Sequence, residues 1–539
     1  MSTHPSLPKT AQEKNLALRD YAIQSVNQLA QLSNPDSRVS LSTLENHASL
    51  LSEHGDSFQG LVTGDLERFV TNFWEHQALK SNGWEPFRTT IDANDSPLAG
   101  VHHSILWESG DGQLAQYAAE SRERLHDMHE SGNRAWGRKG VAINRMRGLR
   151  VAHYFGEHFD NNVAVVVPKK PNTLGAIWCY LSSSDFFEHV RQLDTTLKVT
   201  NKTLLQVPFD LTEWELVSNE RYPNGLPQPY SEDVTQWTFH GHPQKSTDPL
   251  QVAVARLLGY TWPSETDDKM ELSDEARAWI AHSKALASQA DEDGIVCIPP
   301  VGPEASASDR LLNLLADAYG TDWSNDVLAQ LLSAADHAGK SLETWLRDKF
   351  FIQHCALFGN RPFVWHVWDG LRDGFSALVN YHKLDYKTLE ALIYTYLGDW
   401  IGRQRRDAES GVDGAQEKLA AAETLKKRLE LVLAGEAPYD IFVRWKPIEE
   451  QPIGWHPDLN DGVRMNIRPF LSVPDVGKRG AGVLRDKPKS LHWEKDRGSD
   501  VLSAPWYELG LQYGGKVGDR INDHHLSLAE KRAAREKAK

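Results

Sequence analysis

The 539-residue sequence contains little cysteine, and Cys179, Cys297 and Cys355 lie far from one another in the chain. Three isolated cysteines exclude a disulfide framework and offer no zinc-binding pair, and they are typical of a reducing cytoplasm. No apolar run approaches the length of a membrane span, and the first residues lack the basic and apolar parts of a secretory signal. The sequence therefore predicts a cytoplasmic protein with no membrane partner.

Familiar catalytic motifs are also missing. Residues 510–516 match the spacing of a phosphate-binding loop, but Val517 stands where Ser or Thr must bind magnesium. Residues 477–482 are rich in glycine without a strand before them and a helix after them. The histidine pairs at 102–103, 240/242 and 524–525 lack a third ligand at a suitable spacing for a metal. The residues alone therefore give no catalytic or metal-binding candidates and predict a chain that is non-catalytic by itself.

Basic residues are outnumbered, with 59 Lys and Arg against 74 Asp and Glu and a net charge of −15. Between residues 134 and 170 this balance reverses, because eight basic residues face two acidic ones. A cationic segment in an acidic protein is the pattern expected of a surface that binds a polyanion. The DNA-binding candidates in it are Arg134, Arg138, Lys139, Asn144, Arg145, Arg147, Arg150, Lys169 and Lys170.

These residue types suit nucleic acid, because Arg and Asn bond to base edges and Lys bonds to phosphates. Residues 138–147 are predicted to lie on a β-hairpin. Alternation along it places Val141, Ile143, Arg145 and Arg147 on one face and Ala142, Asn144 and Met146 on the other. The pattern leaves open which face is solvated, and a charged hairpin without any ligand fits it equally well.

Hydrophobic spacing and chain-breaking residues predict an α+β fold in five segments. Residues 1–57 form a helical arm, and residues 58–212 form a β-rich domain that a helix interrupts near 112–130. Residues 213–350 form a mainly helical spacer. Residues 351–434 contain a helical hairpin, with helices at 386–408 and 413–434. A loop-rich tail at 435–539 ends in a charged helix.

Two shorter segments, residues 60–68 and 198–209, also have a predicted local structure. Gly60 and Gly64 suit a tight loop, in which Asp65 caps a short helix that carries Arg68, and Gly64, Asp65 and Arg68 are the candidate site residues there. A strand–turn–helix without chemistry is the alternative. Residues 198–209 are predicted to form the last strand of the β-rich domain.

Seven segments resemble the region that follows the catalytic domain in large adenine-specific DNA methyltransferases. They are GLVTGDLERF (60–69), YFGEHFDNN (154–162), LSSSDFF (181–187), KVTNKTLLQVPF (198–209), RPFVWHVWDG (361–370), LNDGVRMNIRPF (459–470) and KDRG (495–498). Such enzymes include type IIG restriction–modification enzymes and the methylases of the BREX and DISARM phage-defence systems. The similarity is closest to the DISARM type and extends from residue 58 to the end of the sequence.

In that family an upstream domain carries a glycine-rich S-adenosylmethionine loop and an Asn-Pro-Pro-Tyr motif, where the flipped adenine is held for methyl transfer. Neither motif occurs in this sequence. The resemblance therefore implies the target-recognition half of such a methylase, either as one subunit of a split enzyme or as a fragment.

The resemblance also implies ligands and partners. Double-stranded DNA would contact residues 134–150 and 198–203, which adds Lys198, Asn201, Lys202 and Thr203 to the DNA-binding candidates. The cofactor S-adenosylmethionine would be bound by a partner catalytic subunit that carries the Asn-Pro-Pro-Tyr motif, and by no residue of this chain. Other proteins of the same defence system are further candidate partners.

Two other functions stay open at this point. A structural adaptor of a phage-defence complex would bind a helicase or nuclease without specific DNA contacts, and the acidic net charge favours it. A self-contained enzyme with an unrecognised site is the other.

Overall fold

The computed structural model describes residues 10–20, 25, 27–33, 49–78, 80–91, 97–146, 148–230, 240–443, 445–473, 483–485 and 525–539. The chain divides into two compact units. Unit 1 comprises Met1–Gln59, Arg138–Phe155 and Ala164–Leu226, and unit 2 comprises Gly60–Gly137, Gly156–Val163 and Pro227–Lys539. Each unit combines stretches that are distant in sequence, and the five-segment division stays a prediction. Arg147 and the segments 477–482, 495–498 and 510–516 lie outside the described residues.

The described residues contain both helices and strands, which confirms the α+β prediction. The strands are β1 (Gly55–Gln59), β2 (Val70–Asn72), β3 (Trp84–Arg88), β4 (His103–Leu106), β5 (Gly140–Asn144), β6 (Val151–Tyr154), β7 (His158–Phe159), β8 (Val163–Pro168), β9 (Ile295–Cys297), β10 (Val364–Trp368) and β11 (Ser376–Asn380).

The α-helices are more numerous than the strands. They are α1 (Ala11–Asp20), α2 (Leu51–His54), α3 (Leu66–Phe69), α4 (Gln113–Glu120), α5 (Arg122–Leu125), α6 (Leu174–Leu181), α7 (Ser184–Leu193), α8 (Asn201–Leu205), α9 (Leu211–Arg221), α10 (Pro249–Leu257), α11 (Pro263–Thr266), α12 (Asp274–Ala285), α13 (Ala307–Tyr319), α14 (Asn325–Ala334), α15 (Leu342–Asp348), α16 (Phe350–Leu357), α17 (Tyr386–Ala391), α18 (Leu397–Glu409), α19 (Ala415–Ala434), α20 (Val463–Ser472) and α21 (Leu528–Ala538). Among the described residues, none of these helices is both long and apolar enough to cross a membrane.

Unit 1 is built on a four-stranded sheet with the order β1-β8-β5-β6. Strands β5 and β6 pair antiparallel, with Gly140 opposite Tyr154 and Ile143 opposite Val151, which confirms the predicted hairpin. The expectation that one face of the hairpin is solvated is wrong for β5, because every residue of this strand is buried. Since β8 and β6 flank β5, this strand lies inside the sheet, and alternation along it does not separate core from solvent.

Helix α6 supplies the core that packs with this sheet. Val141 and Ile143 of β5 and Val166 of β8 share a buried cluster with Ile177 and Trp178 of α6. The short connection after α6 begins the next helix through a side-chain cap, a role in which Ser, Thr and Asp satisfy exposed backbone N–H groups. Ser183 accepts a hydrogen bond from Phe186 N at the start of α7. Burial of this apolar cluster is the main source of stability that the described part of unit 1 offers.

The strand predicted at residues 198–209 is wrong. Thr200 accepts a hydrogen bond from Thr203 N and starts helix α8, which ends at Leu205. In this segment Lys198 makes an isolated bridge to Met146, and Pro208 makes another to Leu50. Val199 and Val207 favour a strand, but the Thr200 cap favours a helix more strongly. The capped turn satisfies its own backbone N–H groups, whereas a strand here would need a neighbouring strand to do so.

Unit 2 contains two further sheets and most of the helices. The sheets have the orders β2-β4-β3-β7 and β10-β11-β9. One large buried cluster joins β9, β10 and β11 to the helices around them and includes Val296, Trp345, Phe350, Trp365 and Leu429. The predicted helical hairpin is confirmed by α17, a π-helical turn at Leu392–Tyr396, α18 and α19. The predicted terminal helix is confirmed by α21, whose first turn is capped by Ser527.

Candidate nucleic-acid interface

The structure separates the basic stretch of unit 1 into two groups at opposite ends of strand β5. Arg138 and Lys139 precede this strand, and Arg145 follows it. We call the group Arg138, Lys139, Lys169 and Lys170 the lysine end. We call residues 145, 146 and 148–150 together with residues 194–202 the loop end. Five residues of extended chain span roughly 17 Å, so the two ends present their charges to different surroundings.

The lysine end is formed because β5 starts where β8 finishes. A Cβ atom at Gly140 would lie 2.5 Å from the carbonyl oxygen of Val166, so only glycine allows this close approach of the two strands. The four basic side chains there are exposed. The Lys169 ammonium donates a hydrogen bond to the carbonyl oxygen of Ser52 at 2.7 Å. The exposed carboxylate of Glu53 lies in the same short helix as Ser52, which reduces the local positive charge.

The loop end joins two segments that are distant in sequence. Val199 N donates to the carbonyl oxygen of Arg145 at 2.9 Å, and Arg145 Nε donates back to the carbonyl oxygen of Val199 at 2.9 Å. Met146 and Lys198 make a β-bridge beside this pair. Arg150, Lys198 and Lys202 are exposed at this end. Both segments therefore expose cationic side chains at the loop end, Arg150 from one and Lys198 and Lys202 from the other.

Residues 194–198 are held by their own hydrogen bonds. Asp194 Oδ1 accepts from Thr196 N at 2.9 Å and lies 2.6 Å from Thr196 Oγ1. The Arg191 guanidinium donates to the carbonyl oxygen of Thr196 at 2.7 Å. The Asp194 carboxylate is thus hydrogen-bonded to the backbone of its own loop. These bonds hold the main chain of the loop in one conformation. Fixed polar groups lose little entropy when they bind a ligand.

Three of the predicted DNA-contacting residues are buried, which corrects their assignment as surface contacts. Asn144, Arg145 and Thr203 are 6%, 8% and 0% exposed. Burial lowers the pKa of the Arg145 guanidinium, whose Nε is used by Val199. The Thr203 hydroxyl lies 2.8 Å from that of Thr200. These three buried side chains therefore support the structure of the loop end. Asn201, close to Thr203 in the sequence, is half-buried.

Arg134 and the candidates Gly64, Asp65 and Arg68 belong to unit 2. Arg134 and Gly64 are exposed, whereas Asp65 is 3% exposed. Asp65 stands at the start of α3, but its carboxylate does not make the predicted capping bond. Arg68 Nη2 donates to Gln113 Oε1 at 3.3 Å, and its guanidinium lies 4.7 Å from the Phe69 ring centre. Burial lowers the pKa of Arg68, and a binding role for this loop stays a prediction.

Three of the segments that carry the resemblance meet in an ion-pair network inside unit 2. Glu67 of segment 60–69 pairs with Arg464 of segment 459–470 and lies 3.6 Å from Arg361 of segment 361–370. Arg361 also lies 3.5 Å from the buried Glu75, which accepts a hydrogen bond from Val463 N. These segments therefore contribute to the internal structure of unit 2. Within the described residues, no group of three or more His, Cys, Asp or Glu side chains is arranged to hold a metal ion.

Sequence reasoning missed Arg191, Asp194, Thr196 and Leu197, which shape the loop end. Arg191, Asp194 and Thr196 hold this loop through hydrogen bonds among themselves, whereas Lys198 and Val199 next to them pair with Met146 and Arg145, so spacing in the sequence gave no signal for most of them. Leu197 is the exception, because an apolar residue between Thr196 and Lys198 breaks an otherwise polar run.

No protein-family model matches this chain. A stretch of 101 residues, 18% of the chain, is 29% identical to the adenine-specific methyltransferase PglX of Lacticaseibacillus casei (strain Zhang). The matched stretch covers 8% of that protein. The chain is thus distantly similar, over a limited stretch, to an adenine-specific methyltransferase.

Proposed function

We propose that this chain is the DNA-recognition part of a bacterial adenine-specific DNA methyltransferase of the phage-defence or restriction–modification type. The observation that carries the proposal is the loop end, where hydrogen bonds between Arg145 and Val199 unite two segments that expose Arg150, Lys198 and Lys202. The similarity to an adenine-specific methyltransferase supports the choice of reaction.

The division of charge between the units supports unit 1 as the DNA-binding part. Unit 1 carries 15 Lys and Arg and 13 Asp and Glu, a net charge of +2, whereas unit 2 carries 44 and 61, a net charge of −17. In unit 2 a cavity of about 440 Å³ is lined by four carboxylates, those of Asp291, Glu292, Asp293 and Glu304, and by one cation, that of Arg310. Phosphates are attracted to a cationic surface and repelled by an acidic one.

The loop end has the chemistry that duplex recognition needs. The long side chains of Arg150, Lys198 and Lys202 reach phosphates, which position the protein on DNA. Thr195, a shorter polar side chain that is exposed in the same loop, is able to bond to a base edge. The main chain between them is fixed before DNA arrives, so less of the interaction energy is spent on ordering it.

Methyl transfer is assigned to another polypeptide stretch, because this sequence contains no Asn-Pro-Pro-Tyr motif. That stretch would bind S-adenosylmethionine and the flipped adenine, either in a separate subunit or in another part of a longer protein. The described chain would then hold the duplex so that its target adenine reaches the catalytic site.

Reconstitution tests this proposal. The chain is mixed with a candidate catalytic subunit that carries the Asn-Pro-Pro-Tyr motif, duplex DNA and S-adenosylmethionine with a labelled methyl group. Label should enter adenine when both chains are present and stay at background when either is omitted. Methylation by the catalytic subunit alone, at the same sites and rate, would refute a recognition role for this chain.

A structural adaptor is the second candidate, and the net charge of −17 on unit 2 favours it. An adaptor would bind other defence proteins through its acidic surface and leave DNA untouched. Binding of labelled duplex at low salt, with and without the catalytic subunit, separates the two functions. No binding under either condition would favour the adaptor.

A further inference from the structure

Leu197 is an exposed apolar side chain at the loop end. It is 55% exposed and lies between Thr196 and Lys198, in a segment whose other members from Thr195 to Lys198 are polar or charged. A single exposed leucine is ordinary on a protein surface. This one differs in that it directly precedes Lys198, at an end of the sheet that also exposes Arg150 and Lys202.

The backbone on both sides of Leu197 is held in place. On its N-terminal side, Arg191 and Asp194 bond to the carbonyl oxygen and the N–H group of Thr196. On its C-terminal side, Val199 exchanges two hydrogen bonds with Arg145. These bonds hold the main chain on both sides of Leu197, whose side chain is exposed.

We infer that Leu197 inserts between adjacent base pairs of bound DNA and unstacks them. The inference rests on the proposed function, which brings the loop end onto DNA. Apolar side chains, leucine included, act as such wedges in proteins that kink or open a duplex. Phosphate contacts from Arg150, Lys198 and Lys202 would offset the cost of unstacking, and the wedge would ease extrusion of an adenine towards the methyl donor.

Leu216 offers a matched comparison within unit 1. It is 68% exposed on helix α9, so removing its side chain changes a leucine that is at least as accessible as Leu197. Its neighbours on that helix include Glu213 and Glu215, whose carboxylates repel phosphate. Leu216 therefore has the exposure of Leu197 without the cationic surroundings of a DNA wedge.

The test compares binding to a fully paired duplex and to the same duplex with one mismatched pair, at one salt concentration. A mismatch lowers the cost of unstacking, so the wild-type chain should bind the mismatched duplex at least about tenfold more tightly. Leu197→Ala should reduce this preference to about twofold or less, whereas Leu216→Ala should keep it. A 2-aminopurine base beside the mismatch gives a second readout, because its fluorescence rises when it is unstacked.

Circular dichroism and a thermal melt confirm that both variants fold like the wild type. A wild-type chain without any preference for the mismatch, or a Leu197→Ala variant with the wild-type preference, overturns the wedge. Either result leaves the proposed function intact as long as the paired duplex is bound. Absence of binding to both duplexes, at low salt and with the catalytic subunit present, overturns the proposed function itself.

Discussion

Arg145 and Val199 exchange two hydrogen bonds, one from Val199 N to the Arg145 carbonyl oxygen and one from Arg145 Nε to the Val199 carbonyl oxygen, each 2.9 Å long. The two residues are 54 positions apart in the sequence. This pairing fastens the segment around residues 194–202 to the turn that follows β5. The proposed DNA-binding surface exists because of this contact.

Replacing Arg145 should lower the stability of the fold directly, and it should weaken DNA binding only as a consequence. Arg145→Ala removes a buried, charge-assisted hydrogen bond, so we expect a loss of about 1–3 kcal/mol in the free energy of unfolding. Arg150→Ala, at an exposed position of the same end, should cost less than about 0.5 kcal/mol. Urea unfolding followed by circular dichroism measures both values. Equal stability of the two variants would contradict a supporting role for Arg145.

The sequence predicts the long helices of unit 2 correctly, but it does not predict the local structure of the loop end. The helices at 386–408 and 413–434 were predicted because many residues of one apolar stripe repeat at helical spacing. The segment 198–209 was predicted as a strand, since its β-favouring residues gave no sign that the Thr200 cap would outweigh them.

The candidate site was predictable in composition and not in arrangement. The count of charged residues identifies the basic stretch at 134–170, and residues that favour turns indicate the hairpin. Burial of Asn144 and Arg145 depends on β8 lying beside β5, and the union of two loops depends on the contact between Arg145 and Val199. Neither relationship has a local signal, because both join residues that are far apart in sequence.

Two glycines of unit 2 should respond to alanine in opposite ways. A Cβ atom at Gly60 would clash with the carbonyl oxygens of Phe159 and Asp160, so Gly60→Ala should destabilise the protein by about 1–3 kcal/mol. Gly398 lies in helix α18, and the nearest atom to its Cβ position is 3.9 Å away. Gly398→Ala should therefore stabilise by about 0.5–1 kcal/mol. Urea unfolding curves measure both, and a stabilising Gly60→Ala would refute the close approach.

His240 should make unit 2 sensitive to mild acid. Burial lowers the pKa of His240 from 6.5 to about 4, and among the described residues neither ring nitrogen has a hydrogen-bond partner. Between these two pKa values the unfolded chain binds a proton that the folded chain does not, so stability falls as pH is lowered from 6.5 towards 4.

Replacing His240 with phenylalanine should remove this pH dependence of the free energy of unfolding. His240→Phe should take up roughly one proton fewer on unfolding at pH 5 than the wild type. Its stability at pH 7 should rise by about 1 kcal/mol, because a buried polar group without a partner is replaced by an apolar ring. Unfolding curves at several pH values test both statements. A variant with the wild-type pH dependence would show that His240 is not the group responsible.

The lysine end should contribute less to DNA binding than the loop end. Lys169 already donates to the Ser52 carbonyl oxygen, and Glu53 is exposed near it. We expect the double variant Lys169→Gln/Lys170→Gln to lower the salt dependence of duplex binding by less than about one log–log unit. Fluorescence anisotropy over a salt series measures the slope. A loss of about two units would place these lysines on the phosphates.

The most direct test of a DNA-recognising loop end is the salt dependence of duplex binding by Arg150→Gln/Lys198→Gln/Lys202→Gln. Each phosphate contact contributes about 0.9 to the log–log slope, so the triple variant should lose about two to three units. The exposed unit 2 residues Lys269, Lys284 and Lys340 give a control with the same change in charge when all three are replaced by Gln. We expect this control to keep the wild-type slope and affinity. Equal slopes for the two triple variants would contradict it.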